Sequence, residues 1–164
     1  MTRAGAARRR GRATTPARLL RINVGACALL LIQYLLGMAV NIYVVLPARH
    51  PGANAGNYFS GVASGLGWAI SSGPGWAAAH AAFGLALAVL ALGTIALTWR
   101  QGSRAAVATS VLGALAIVGA GFNGASFLNY NQAFSSMIMA GLWALAMACY
   151  IAGAIRAARL LIAA

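Results

Sequence analysis

The sequence predicts an all-α fold: an integral membrane antiparallel four-helix bundle behind a disordered basic N-terminal tail. Three observations lead there. Four apolar runs recur along the 164-residue chain, each roughly 25 residues long and able, at about 1.5 Å per residue, to cross a hydrocarbon core of about 30 Å as a helix. Arginines collect before the first run, between the second and third, and after the fourth. The chain is 62% hydrophobic, has no Asp or Glu and carries a formal net charge of +12, with a mean hydropathy of +0.80.

All twelve basic residues are arginine. Arg3, Arg8, Arg9, Arg10, Arg12, Arg18 and Arg21 precede the first run, Arg100 and Arg104 separate the second from the third, and Arg156 and Arg159 follow the fourth; only Arg49 stands elsewhere. In a chain that crosses four times, these three groups share one side, and basic loops stay in the cytoplasm. A multi-pass protein of the plasma membrane with both termini cytoplasmic is therefore expected. The N-terminal arginines would meet anionic lipid headgroups, at about 1 kcal/mol per basic residue near the surface. Nucleic acid is not expected as a partner, because MTRAGAARRRGRATTPAR offers no aromatic ring for base stacking.

The missing carboxylates narrow the chemistry. Carboxylate acid/base pairs, Asp/Glu proton relays, carboxylate metal sites and Ser-His-Asp triads are excluded within this chain, and no catalytic residue is expected. Cys27 and Cys149 both lie inside apolar runs, where packing as free thiols is the natural role. No CxxC, P-loop or dinucleotide fingerprint is present.

Residues 1–21 form the basic tail, read as disordered, with Thr14-Thr15-Pro16 as a break. The first span, 22–46, is too long for a cleaved signal sequence. It carries Gln33, Gly37 and Asn41 along one face, and Pro47 closes it. In the outer loop, 47–75, a turn-forming stretch leads into YFSGVASGLGWAI. This second stretch reads as a short interfacial helix over 57–70 anchored by Trp68, with an irregular glycine-weakened loop as the alternative. The second span, 76–99, has tryptophan at each end. A tight turn at Gln101-Gly102-Ser103 makes it the neighbour of the third, 105–129, where Ala116, Ala120 and Gly124 form one small-residue row and Gly113, Gly121 and Ala125 flank it. The fourth span, 133–155, repeats the device with Ala140, Ala144 and Ala148, and its Met137, Met139 and Met147 read as packing filler rather than metal ligands. Residues 156–164 make the cytoplasmic end.

HPGANAGNYFSGVASGLGWAI, the WAAAHAAFGLAL start of the second span and GFNGASFLNYNQAFSSMIMA across the second outer turn together resemble small four-span integral membrane proteins of actinobacteria, a group without assigned chemistry. The resemblance covers roughly 22–155. It implies the topology and no activity.

One site is worth building. Asn41, His80, Asn123 and Ser136, one per span, fall within about six residues of the outer ends of helices sized to the bilayer. Converging faces would make a polar pocket with His50 and Tyr58 as lids. In the plainest reading, His80 hydrogen-bonds an amide on a neighbouring span, Asn41 or Asn123 by preference, and holds register. A pocket for a lipid, quinone or other small apolar molecule is the second reading, with His80 and Asn123 orienting a carbonyl or hydroxyl. The third is a haem b electron-transfer module using His80 with Met137 or His50 as axial ligands. Uncharged spans and unbroken helices argue against an ion pathway. The expected protein is thus non-enzymatic, an accessory subunit or a binder of a small apolar molecule, partnered by another membrane protein or a second copy.

Overall fold

A computed structural model describes the backbone of residues 3–100 and 104–163 and the side chains of 16–100 and 104–163. Five helices follow one another: α1 (Arg3–Tyr43), α2 (Tyr58–Ser71), α3 (Gly75–Arg100), α4 (Arg104–Tyr130) and α5 (Ala133–Ile162), with no strand among the described residues. Four stretches, Pro16–Tyr43, Gly75–Arg100, Arg104–Tyr130 and Ala133–Ile162, are long and apolar enough to cross a membrane.

Two boundaries depart from the sequence expectation. The tail read as disordered is helical from Arg3, and Pro16 sits inside α1. Arg and Ala are strong helix formers and dominate that segment, so backbone propensity continues the helix where apolarity has stopped. α1 also ends at Tyr43 rather than running to Leu46, because the residues before Pro47 are pushed out of the helical region. α5 likewise continues through Arg156 and Arg159 to Ile162. The remaining elements match: 57–70 is the helix α2 and not an irregular loop. Asn57 caps it, the side chain accepting from Ser60 N at 3.0 Å.

The four long helices pack as a ring. α1 and α4 each pack against both α3 and α5, and among the described residues the diagonal pair α3 and α5 meets only through side chains, Tyr150 bonding Thr94 across the centre. Leu30 of α1, Leu87 of α3, Ala116 of α4, and Ala146 and Tyr150 of α5 form the central cluster. Glycines on α4 make notches for bulky residues of α5. A Cβ at Gly113 would lie 3.1 Å from the Tyr150 ring, one at Gly119 3.2 Å from Leu142, and one at Gly124 3.1 Å from the Met139 sulfur. Trp143 ties α5 to α1, its indole N–H donating to Leu30 O at 2.8 Å while its ring packs on Tyr34 at 4.8 Å.

The Ala140, Ala144 and Ala148 row does not serve this packing; all three residues are exposed. The bundle side of α5 is instead the face bearing Ala146, Tyr150, Gly153 and Ala157. An alanine row fits a neighbouring helix or lipid equally well, and the large apolar Tyr150 decides which face turns inward. Cys27 and Cys149 are free thiols, Cys27 packed against the central cluster and Cys149 buried beside Gly113.

α2 packs on α3 and α4 but not on α1 or α5, burying Gly61, Gly65 and Ala69. The preceding loop is pinned to the end of α4 by one residue. Asn129 accepts from Asn54 N through its backbone carbonyl at 2.8 Å and from Ala55 N through Oδ1 at 3.0 Å. Gly52, at φ +89°, turns the loop against α2 in a backbone conformation suited to glycine.

Candidate functional site

His80 lies one turn into α3 and faces α1. The two helices meet through reciprocal notches. A Cβ at Gly37 on α1 would sit 3.0 Å from His80 Cε1, and one at Gly84 on α3 would sit 2.9 Å from Gln33 Nε2. Gln33 precedes Gly37 by four residues and His80 precedes Gly84 by four, so each helix offers a polar side chain and, one turn on, the gap that receives the other's.

Gln33 Nε2 donates to the His80 backbone carbonyl at 3.2 Å and lies 3.4 Å from His80 Nε2. A carbonyl only accepts, which identifies the facing amide atom as nitrogen. The ring nitrogen beside that donor must then accept, placing the proton of a neutral imidazole on Nδ1. Both side chains are half-buried. Yet Gln33 Oε1 is shut off from outside and has no partner, at a cost of about 1–3 kcal/mol for such a group, whereas the His80 ring also meets the Gln33 backbone carbonyl. One acceptor is therefore left open between α1 and α3. Asn129 Nδ2 is similarly without a partner, but it is packed against Gly61, whose Cβ would approach it to 2.5 Å.

The four polar residues expected to converge do not. Asn41 is exposed on α1. Asn123 turns back on its own helix, Nδ2 donating to Gly119 O at 3.0 Å. Ser136 is half-buried on α5, diagonal to α3 in the ring. Ring order sets only Ser136 apart from His80, since α1 and α4 both adjoin α3; Asn41 is lost by facing outward and Asn123 by bonding its own helix, and Gln33 is the partner of His80. Nor do the expected lids cover the site. His50 stacks on Trp68 with ring centroids 4.3 Å apart and donates from Nδ1 to Pro51 O at 3.0 Å. Tyr58 bonds Ser126 on α4 at 2.7 Å.

Haem does not fit these residues. His80 Nε2 is engaged by Gln33 and the opposite edge of the ring lies on Gly37. Met137 is 64% exposed on α5, diagonal to α3 in the ring, and His50 is held on Trp68. No group of three or more His, Cys, Asp or Glu that could hold a metal ion occurs among the described residues.

A second polar spot lies toward the arginine end, where Asn23, Thr98, Thr109, Ser110 and Arg156 help line a void of about 30 Å³. That is room for about one water, and Asn23 there already donates to Leu19 O at 2.8 Å. The α1–α3 site remains the better candidate. Comparison of the chain with protein-family models, curated proteins and solved structures yields no match.

Proposed function

We propose that this chain is a multi-pass protein of the plasma membrane that binds a small apolar molecule of the lipid or quinone class between α1 and α3. It acts without catalysis of its own, as the binder or as an accessory subunit to another membrane protein. The observation that carries this reading is the unpartnered acceptor Gln33 Oε1 beside the His80 ring, in a seam where a hydroxyl would relieve its cost. Solvent extraction of protein purified in mild detergent, followed by mass spectrometry, tests it. Wild type should carry an apolar molecule enriched over bulk membrane, and His80→Leu should lose it; equal profiles would contradict the reading.

The membrane arrangement within this proposal is an antiparallel bundle with both termini cytoplasmic. Its support is the order of neighbours. Gln33 meets Gly84 while Gly37 meets His80, and Gly113, Gly119 and Gly124 meet Tyr150, Leu142 and Met139, so numbers rise along one helix as they fall along the next. Arginines cluster at the end of the bundle away from α2. Reporter fusions check it: an alkaline phosphatase inserted near Asn54 should be active, and one at the C-terminus inactive. The reverse pattern would overturn the orientation.

A further inference from the structure

We infer that the arginine end of the bundle holds the headgroup of an anionic phospholipid that carries a free hydroxyl, a phosphodiester of a polyol such as glycerol or inositol. The phosphate meets Arg156, and the hydroxyl enters the void between the four long helices. The inference rests on the membrane arrangement proposed above and not on the α1–α3 site.

Every long helix sends a polar side chain to this void: Asn23 from α1, Thr98 from α3, Thr109 and Ser110 from α4, and Arg156 from α5. Asn23, Thr98 and Ser110 are buried. Thr98 shares its hydroxyl hydrogen between Thr94 O and Ile95 O at 2.9 and 3.0 Å, and Thr109 shares its own between Ala105 O and Ala106 O at 3.1 Å. Each hydroxyl has one hydrogen, so both threonines offer a guest only lone pairs, while Ser110 and Arg156 supply donors. The guest atom must both donate and accept. A hydroxyl does so; an ester oxygen, an ionised phosphate oxygen or an ammonium does not. A volume of about 30 Å³ admits one such oxygen, in the place of one water.

Arg156 lines the void and is also exposed, so its charge stands where the rest of the headgroup would lie. The chain has no Asp or Glu to pair with it, and the exposed Arg18, Arg21, Arg100, Arg104 and Arg159 share that end of the bundle. An anionic phosphodiester supplies the missing countercharge. A zwitterionic headgroup brings an ammonium to the same arginines and is disfavoured.

The test is native mass spectrometry of the intact chain in detergent, titrated with single lipids of identical dioleoyl chains. Phosphatidylglycerol and phosphatidylinositol carry the hydroxyls, phosphatidylmethanol has the same charge without one, and phosphatidylethanolamine has no net charge. At least one hydroxyl lipid should bind with a Kd about tenfold or more below that of phosphatidylmethanol, and the tighter of the two identifies glycerol or inositol as the headgroup. Thr98→Val should erase this preference and leave phosphatidylmethanol binding unchanged; Ser110→Ala is a second route to the same loss if the valine disturbs packing. Arg156→Gln should weaken every anionic lipid by about tenfold, and Arg159→Gln by less than about twofold. Equal binding of hydroxyl lipids and phosphatidylmethanol overturns the inference, as do equal losses at Arg156 and Arg159, which would reduce the attraction to diffuse charge. His80→Leu should change none of these affinities; parallel losses there would place the lipid at α1–α3 and overturn the inference too. The reporter fusions judge the membrane arrangement separately.

Discussion

Gly153→Leu is expected to destabilise the bundle by about 3 kcal/mol, the upper part of the range for overpacking a closed interface. A Cβ at this position would run into Asn23 Oδ1 and lie 2.9 Å from Asn23 Cγ. Asn23 cannot easily yield, being 8% exposed and bonded to Leu19 O, so α1 and α5 must part. Thermal unfolding followed by tryptophan emission in detergent measures the loss. Gly141→Ala is the control. Nothing lies within 4 Å of a Cβ there, and removal of a helix-interior glycine should leave stability unchanged or raise it by about 1 kcal/mol. Similar midpoints for both variants would contradict the α1–α5 packing.

Gly52→Ala should release the loop before α2 while sparing the ring. The residue sits at φ +89°, and its Cβ would meet Gly61 O as well as Gly65 N at 2.5 Å. All are backbone atoms that no side-chain rotation can clear. Strain and overlap together should cost about 3 kcal/mol locally, or about a hundredfold in the open population of the loop. Limited proteolysis within 48–57 should quicken by that factor, with the unfolding midpoint of the bundle little changed. Unaltered cleavage would show that the loop is not seated on α2.

Helix limits were legible where composition changes sharply. The expected 76–99 and 105–129 became Gly75–Arg100 and Arg104–Tyr130, because tryptophan and arginine close the apolar run where the helix also ends. At the N-terminal side of α1 and the C-terminal side of α5 these two boundaries separate. Apolarity reports hydrocarbon thickness, whereas alanine and arginine carry the helix on.

The site was half legible. A histidine one turn inside a span, in a chain without carboxylates, announces a need for a neutral partner, and His80 has one. Choosing that partner requires knowing which helices adjoin, and depth is silent on that. Asn41 and Asn123 share the level of His80, but one faces outward and the other satisfies itself on Gly119. A sequence signal for Gln33 did exist. Gln33 with Gly37 and His80 with Gly84 repeat one spacing on two spans, which is what two crossing helices need to exchange polar side chains across glycine gaps. The outward Ala140, Ala144 and Ala148 row shows the converse, since a small-residue spacing with no bulky partner opposite it does not name a face.

A crystal structure grown in a lipidic mesophase, from protein purified with its native lipid, tests the binding site most directly. Elongated density should enter between α1 and α3 and end within about 3.5 Å of Gln33 Oε1. A seam closed as in the free chain, or one in which a single water meets Gln33 Oε1 with no apolar tail behind it, would contradict the binding role and reduce the Gln33–His80 pair to holding α1 and α3 in register.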